Sequence, residues 1–511
     1  MKFNFLKRKL QPLPPATNYE AAPAYRHAPE MELYAAVVTA SLNDQFYESN
    51  DQRLLRIRAL IIKNDPVFVA KLAVYAREEM YLRSIPLVLA VELTKLHQGD
   101  GLVGRLVGRV VQRADEITEL LAYYALANNR REHKKLNRLS KQLQKGLNLS
   151  FNRFDEYQFA KYNRKTDVSL KDALFMVHPR AKDAAQQAIF DKIVRNELKS
   201  PYTWETALSA LGQQRFSTAK EEEAAVCAKW EELIDNGRLG YMALLRNLRN
   251  ILNAGTSKAH IEKVCAAITD EQAVLRSRQL PFRYLAAYRE LKQVMNGYAG
   301  LVQDAIEEAL KTSVHNMKGF DEQTKLVIAC DVSGSMQQRV SAKSAIKYYD
   351  IGLLLGMLLQ FKCDHVVSGM FGDRWKIISL ERSSILSNVD HFYSREGEVG
   401  YATNGYLVLD HLIRARYRAD KVMMFTDCQL WNSNSPQHQQ NIMEAKWLEY
   451  KIVAPNAKLY LFDLAGHRTT PLRLLHNDVY LIAGWSDRVF DVLESLEGSG
   501  HSLQQIHEVI M

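Results

Sequence analysis

Oxygen-bearing side chains cluster in the segment LVIACDVSGSM, residues 326–336, directly after a run of apolar residues. It carries one carboxylate and two hydroxyls at alternate positions, Asp331, Ser333 and Ser335, and Gly334 permits a tight turn there. All-oxygen donors of low charge suit Mg²⁺ or Mn²⁺, which keep coordination positions for water or an outside ligand. We therefore predict a divalent-cation site, with Mg²⁺ as the expected ion.

Two further donors follow at places where a sheet would bring them to the same edge. Thr403 lies in the segment GYATNGY, and Asp427 ends the apolar run VMMFTD. As an alternative, Asp331 is the N-cap of a following helix, which leaves Thr403 and Asp427 without a role.

The elements that must position these residues alternate between short β-branched runs and longer helical stretches. The predicted strands are 325–329, 365–370, 421–425, 458–462 and 479–482, and predicted helices include 342–361 and 405–418. This alternation is typical of a doubly wound parallel sheet, which binds ligands at the carboxyl ends of its strands. The predicted fold class of this part is therefore α/β.

An enzymatic role for the same residues is less well supported. A phosphatase with an aspartyl nucleophile needs a second carboxylate two residues on, and position 333 is serine. The sequence also lacks a phosphate-binding P-loop, a nucleophile elbow and an HExxH motif. We expect a binding protein and not an enzyme, with a metal-dependent phosphohydrolase as the weaker alternative.

In the first part of the chain the apolar residues have a different spacing. From about Met31 to Leu310 apolar residues recur at helical spacing, as in Leu54, Ile57 and Leu60, and turn signals separate the segments. This pattern favours antiparallel helix pairs stacked as in HEAT or armadillo solenoids, with an irregular all-helical domain as the alternative. The predicted domains are an N-terminal extension (1–30), an all-α domain (31–320) and the α/β domain (321–511).

The net charge also differs between the two parts of the chain. The net charge of +9 arises from +12 over residues 1–320 and −3 over residues 321–511. On a predicted helix from 130 to 145, basic residues form one stripe, and we take most of them as candidate RNA contacts: Arg131, Lys134, Lys135, Arg138 and Lys141. Beyond it, basic residues alternate with Tyr157, Phe159 and Tyr162, aromatics that could stack on unpaired bases. The alternative is a solvated helix face above buried aromatics.

The spacing of the cysteines and the length of the apolar segments indicate the cellular compartment. The five cysteines are far apart, with no CxxC pair, which fits a reducing environment better than a disulfide framework. No window approaches the ~18 apolar residues of a membrane span, and no signal-peptide core follows the basic N-terminus. We expect a cytoplasmic protein without membrane contact.

Four segments carry a resemblance over nearly the whole chain: KYNRKTDVSLKDALFMVHP (161–179), ALLRNLRNIL (243–252), LPFRYLAAYREL (280–291) and KLVIACDVSGSM (325–336). In this order they resemble the Ro ribonucleoprotein family, in which a helical TROVE domain precedes a von Willebrand factor A domain. The set Asp331, Ser333, Ser335, Thr403 and Asp427 resembles the metal-ion-dependent adhesion site of such domains. There the two serines and the threonine contact the metal, the aspartates act partly through water, and the open position accepts an acidic group.

The resemblance also implies partners and RNA contacts. It implies a HEAT-like ring that binds small Y RNAs on its outer surface and admits single-stranded 3′ ends of misfolded RNAs. Lys171 and His178 match Y RNA contacts, whereas Phe175 stands where the family has a basic residue. His178 alternatively packs at a helix end, and Arg246 and Arg249 of the second segment could be structural.

We expect a monomer that acts in RNA quality control, with an exoribonuclease such as polynucleotide phosphorylase as a possible partner. The competing hypothesis is a metal-dependent protein-interaction scaffold that binds no RNA.

Overall fold

The computed structural model describes residues 16–18, 22–39, 50–128, 139–163, 166–279, 281–314, 323–340, 344–431, 433, 442–467, 469–472, 478–484 and 503–511. The described chain divides into two compact units. An α/β unit contains the residues up to Leu54 and those from 323 to 484. A helical unit contains residues 55–314 and the C-terminal residues 503–511. Among the described residues, every helix is too short or too polar to span a bilayer.

The two units differ from the predicted domains at both chain ends. Residues 31–54 belong to the α/β unit, because the chain before them adds strands to it and the Tyr34 hydroxyl donates to the carbonyl of Ala483 at 3.2 Å. The last nine residues belong to the helical unit, where the His507 ring lies 5.3 Å from that of Phe68. The spacing of apolar residues does not tell to which unit the two chain ends belong, because tertiary packing determines it.

The α/β unit is built on a six-stranded sheet with the order β5-β4-β3-β6-β7-β9. All neighbours pair in parallel except β5, which is antiparallel to β4. Its strands are β3 (Lys325–Asp331), β4 (His365–Phe371), β5 (Trp375–Ile377), β6 (Lys421–Thr426), β7 (Lys458–Asp463) and β9 (Val479–Ala483). The five predicted strands are therefore confirmed, each extended by one or two residues.

Strand order reverses at β3. The chain passes from β3 to β4 on one side and returns to β6 on the other, so the carboxyl ends of β3 and β6 border a topological switch point. The helices of the unit are α1 (Pro29–Val38), α18 (Tyr348–Lys362), α19 (Leu386–Ser394), α20 (Tyr406–Arg414) and α21 (Ile442–Val453). The short strands β1 (Ala16–Thr17), β2 (Pro23–Arg26) and β8 (Thr469–Thr470) form a separate antiparallel sheet.

The helical unit contains no strand among its described residues. After α2 (Asn50–Lys63), which begins in the α/β unit, its helices are α3 (Pro66–Glu78), α4 (Ser84–Leu96), α5 (Leu102–Val110), α6 (Ala114–Ala127), α7 (Lys141–Phe151), α8 (Glu156–Tyr162), α9 (Leu170–Val177), α10 (Ala184–Arg195), α11 (Trp204–Gly212), α12 (Ala219–Asp235), α13 (Tyr241–Asn253), α14 (Lys258–Thr269), α15 (Glu271–Ser277), α16 (Pro281–Leu291), α17 (Ala299–Val314) and α22 (Gln504–His507).

These helices pack on their neighbours and next neighbours along the chain. Helix α3 packs on α4 and α5, α4 on α6, and α5 on α7, and the pattern returns in α13, α14, α16 and α17. Apolar residues at helical spacing supply the buried contacts, as in Phe68, Leu72 and Tyr75 of α3, which are at most 3% exposed. Such packing is typical of stacked helix pairs, as predicted.

Three predicted helices differ from the structure. The helix predicted over 342–361 begins only at Tyr348, because Lys347 still pairs with Arg339 in an isolated β-bridge, and the helix predicted over 405–418 ends at Arg414.

Within the helix predicted over 130–145, Leu139 and Ser140 are not helical and α7 begins at Lys141, with Ser140 as its N-cap (φ −51°, ψ 128°). Residues 130–138 lie outside the described part of the chain. Serine favours this position, since its side chain disfavours helix interiors. The basic stripe therefore cannot be one continuous helix.

Candidate functional site

The five predicted metal ligands all lie at the carboxyl edge of the sheet, and we call them the strand-edge site. Asp331 is the last residue of β3, and Ser333 and Ser335 follow it. Asp427 comes directly after β6, and Thr403 lies in the loop before α20. All five side chains are buried, with exposures from 0% to 5%. Buried polar side chains need partners, so their bonding decides what the site can hold.

Asp331 is held by two hydrogen bonds. Its Oδ1 accepts the backbone N–H of Ser333 at 2.9 Å, and its Oδ2 accepts the hydroxyl of Thr426 at 2.6 Å. Thr426 ends β6 and is fully buried. Thr426 was not predicted as a site residue, although its position directly before Asp427 at the end of an apolar run is a sequence signal for it. The carboxylate is thus oriented by the turn after β3 and by the neighbouring strand.

The two serine hydroxyls converge. Ser333 Oγ lies 3.2 Å from Ser335 Oγ. Two oxygens bound side by side to Mg²⁺ at about 2.1 Å from the ion lie roughly 3 Å apart. The short 3₁₀ turn Gly334–Gln337 brings the hydroxyls together. Their spacing therefore fits adjacent positions on a small divalent cation.

Thr403 is brought to the site through the loop that follows β6. Its hydroxyl donates to the carbonyl of Gln429 at 2.9 Å, and the Gln429 N–H donates to Asp427 Oδ1 at 3.0 Å. Between them, Cys428 has a left-handed backbone with φ 62°, which costs a non-glycine residue energy and often marks a functional turn. This turn links the donor of the 403 loop to the donor after β6.

A close approach of two loops also fixes Thr403. The N–H of Asn404 donates to the carbonyl of Gly372, directly after β4, at 3.2 Å. A Cβ on Gly372 would overlap the carbonyl oxygen of Gly400, so this contact requires glycine. The glycine therefore allows the loop after β4 to approach the loop that carries Thr403.

The electrostatics of the edge favour a cation. Burial, and next the negative charge of Asp427, raise the pKa of Asp331 to about 7. A third carboxylate, Asp463 at the end of β7, is also buried, and burial raises its pKa to about 7. Asp463 was not predicted as a site residue, and its Oδ1 accepts the N–H groups of Ala465 and Gly466 at 3.0 and 2.7 Å. A bound divalent ion would offset the repulsion between these carboxylates, so the donor set fits Mg²⁺.

The predicted RNA contacts divide into described and undescribed residues. Arg131, Lys134, Lys135 and Arg138 lie outside the described residues. Lys141 is exposed in the first turn of α7, and Lys145 is exposed one turn later. In the described part of the chain neither lysine enters an ion pair. Their charges are therefore not neutralised by a described carboxylate.

Helix α9 carries the two residues that the resemblance assigned to Y RNA. Lys171 is half-buried in the first turn, and His178 is exposed at the C-cap with φ 48°. His178 thus ends a helix, as the structural alternative expected, but it is not packed. Phe175, one turn before it, is 50% exposed.

A side-chain contact joins α7 to the end of α9. Gln144, between the two exposed lysines, donates its amide to the carbonyl of Val177 at 2.8 Å. A Cβ on Gly146 would lie 2.6 Å from Cβ of Val107, so α7 also packs closely against α5. The exposed lysines and His178 therefore lie on two helices in direct contact. We call Lys141, Lys145, Lys171, Phe175 and His178 of these helices the α7–α9 face.

Two residues of the mixed basic and aromatic stretch after α7 have structural roles. Phe159 is fully buried, with its ring 6.0 Å from Phe151 and 5.9 Å from Phe154, so it cannot stack on a base. Arg153 donates to the carbonyls of Val111 and Gly108 and so caps the end of α5. Tyr157 is 49% exposed, and the guanidinium of Arg113 lies 4.3 Å from the centre of the Tyr162 ring.

Comparison with known families decides the assignment of the chain. The TROVE domain model matches residues 33–225 and 194–297, a span of just over half the sequence. The chain belongs to the TROVE-domain family. The resemblance proposed from the four sequence segments is thereby confirmed.

Curated TROVE relatives match over shorter stretches. Telomerase protein component 1 of Rattus norvegicus is 27% identical over 297 residues, which cover 45% of this chain and 11% of that protein. The RNA-binding protein RO60 of Deinococcus radiodurans is 29% identical over 205 residues, which cover 34% of this chain and 38% of that protein. The chain therefore spans about a tenth of the telomerase component and about two fifths of RO60.

A solved structure shares the fold. The crystal structure of the Deinococcus radiodurans RO (RSR) protein matches with a TM-score of 0.61 and 18% sequence identity, over 92% of this chain and all of that chain. The predicted fold class, a TROVE-like helical-repeat part with a doubly wound von Willebrand factor A-like α/β part, is thus confirmed.

Proposed function

We propose that this TROVE protein binds RNA through the α7–α9 face. The observation that carries the proposal is the bond from Gln144 to the carbonyl of Val177, which unites exposed lysines of α7 with His178 of α9. Exposed lysines release counterions from RNA phosphates, which gives affinity without sequence readout. The family assignment and the name of the relative RO60 support the same function.

The RNA is a structured noncoding RNA of the Y type, and a second class of substrate is the single-stranded 3′ end of a misfolded RNA. Recognition depends on shape and phosphate positions, because double-helical RNA hides its base edges in a narrow major groove. The role that follows is RNA quality control in the cytoplasm. The five cysteines, all described, form no disulfide, which is compatible with a reducing compartment.

The strand-edge site holds one Mg²⁺ in this proposal. Ser333, Ser335 and Thr403 bind the ion, and Asp331 and Asp427 hold its waters. The convergent hydroxyls and the raised pKa of Asp331 support this assignment. The bound ion would supply an open position for an acidic side chain of a partner, for which an exoribonuclease such as polynucleotide phosphorylase is a candidate. The site serves binding and not catalysis.

A salt titration tests the RNA-binding function. The affinity of the full chain for a stem-loop RNA with a free 3′ tail is measured by fluorescence anisotropy from 50 to about 300 mM salt, a range that resolves counterion release. The logarithm of the association constant is expected to fall linearly with the logarithm of salt concentration. The same RNA without its tail is the control for the 3′-end preference. Binding at background level, or binding that salt does not weaken, would reject the proposal in favour of a metal-dependent protein scaffold.

A further inference from the structure

A second basic surface lies on α13 and α16, away from the residues of the α7–α9 face in sequence. The two helices contain four arginines and a single carboxylate, Glu290. They pack against each other through the rings of Tyr241 and Tyr284, whose centres are 6.4 Å apart and whose hydroxyls are 3.3 Å apart. The surface therefore rests on two packed helices and not on a loop.

The single carboxylate of this surface, that of Glu290, forms an ion pair. Arg249 Nη1 lies 2.5 Å from Glu290 Oε2, so this arginine of the ALLRNLRN segment has the structural role that the sequence left open. Arg246, one turn before it, has a different environment. It is exposed and enters no ion pair among the described residues.

Another exposed arginine of this surface lies on the helix packed against α13. Arg283 of α16 is exposed and likewise forms no ion pair within the described part of the chain. Desolvation lowers the pKa of the Arg283 guanidinium, and the positive charge of Arg246 lowers it further. Like charges on two packed helices repel each other, and an anion bound to both would offset this repulsion.

Guanidinium groups are suited to one kind of anion in particular. Their planar N–H donors match the oxygens of a phosphate in a bidentate arrangement. We propose that Arg246 and Arg283, the arginine pair, form a second RNA contact that clamps a backbone phosphate on the α13–α16 surface. This inference rests on the RNA-binding function proposed above and adds a site to it.

The test compares matched arginine variants of the full chain. The substitutions R246A and R283A are made singly and together, and R249A is the control, because it removes the same charge from the same helix but from an arginine that Glu290 neutralises. Affinity for the tailed stem-loop RNA is measured across the salt range. Each single variant is expected to reduce the salt slope by about 1 and the double variant by about 2. The control is expected to leave the slope nearly unchanged.

The outcomes separate this inference from the function on which it rests. If the wild type binds RNA and the double variant behaves like R249A, the arginine pair does not contact RNA and the inference is wrong. If the wild type shows no salt-dependent RNA binding, the proposed function fails together with the inference. Should the double variant fold poorly, the single surface variant R246A decides by the same criterion.

Discussion

In the α/β unit the five residues of the strand-edge site are at most 5% exposed, whereas in the helical unit Lys141, Lys145 and His178 lie in solvent. The buried donors come from three separate segments of sequence and are fixed by hydrogen bonds to Thr426 and Gln429. The exposed cations come from neighbouring helices and have few partners. Burial makes one site dependent on precise placement, while exposure makes the other dependent on total charge.

This difference predicts opposite responses to mutation. A buried oxygen site loses function when one donor or one orienting group is removed, because buried polar groups tolerate little displacement. A phosphate-binding surface loses affinity in steps, since each cation releases its own counterions.

The largest effect is expected at the metal ligands. The double substitution D331A/S333A should abolish stabilisation by Mg²⁺, which in the wild type reaches about 2.7 kcal/mol at a concentration of one hundred times the dissociation constant. Thermal unfolding with and without Mg²⁺ measures this. D420A is a matched control, since Asp420 accepts the N–H of Lys325 at the opposite edge of the sheet. RNA affinity should stay nearly intact, and a large loss would show that the two functions are coupled.

A charge reversal on the α7–α9 face should have the next largest effect. K141E/K145E is expected to weaken RNA binding across sequences and to lower the salt slope by at least about 2. Filter binding at several salt concentrations measures it. K63E/K220E reverses two exposed lysines elsewhere in the helical unit and controls for net charge. Equal effects of the two pairs would mean that the face has no special role.

The orienting hydroxyl of Thr426 should matter less than the ligands. T426V removes the donor to Asp331 at constant volume and is expected to weaken Mg²⁺ binding by about tenfold, a typical effect of a lost ligand-orienting bond. Isothermal titration with Mg²⁺ measures it. T426S keeps the hydroxyl and should restore binding. If T426V and T426S bind equally well, Thr426 does not position the site.

The smallest effect is expected at Phe175. F175K restores a basic residue where the resemblance expects one and should raise the salt slope of RNA binding by about 1, with a modest gain in affinity. F175L is the apolar control. A loss of affinity in F175K together with F175L would instead indicate that the ring itself contacts the RNA.

The strand-edge site could be predicted because its signals are local. Asp331 ends one apolar strand and Asp427 directly follows another, and parallel strands bring their carboxyl ends to one edge. Thr426 and Asp463 escaped because their roles depend on which strands are neighbours. Register, which pairs Thr426 with Asp463, is a tertiary property.

The helical unit could be predicted less completely for a related reason. Helical spacing identified the helices, but it does not tell which basic or aromatic residue faces solvent. Phe159 and Arg153 lie in the basic stretch, yet one is core and the other caps α5. The helix predicted over 130–145 likewise did not take account of the N-cap at Ser140. Exposure depends on neighbouring helices that are remote in sequence.

Contact between RNA and the helical unit can be measured by ultraviolet cross-linking of the full chain to the tailed stem-loop RNA, followed by mass spectrometry of the cross-linked peptides. We expect cross-links in peptides from residues 139–182, which contain the α7–α9 face. Cross-links found only in peptides from residues 323–484, the α/β unit, would show that RNA does not bind there.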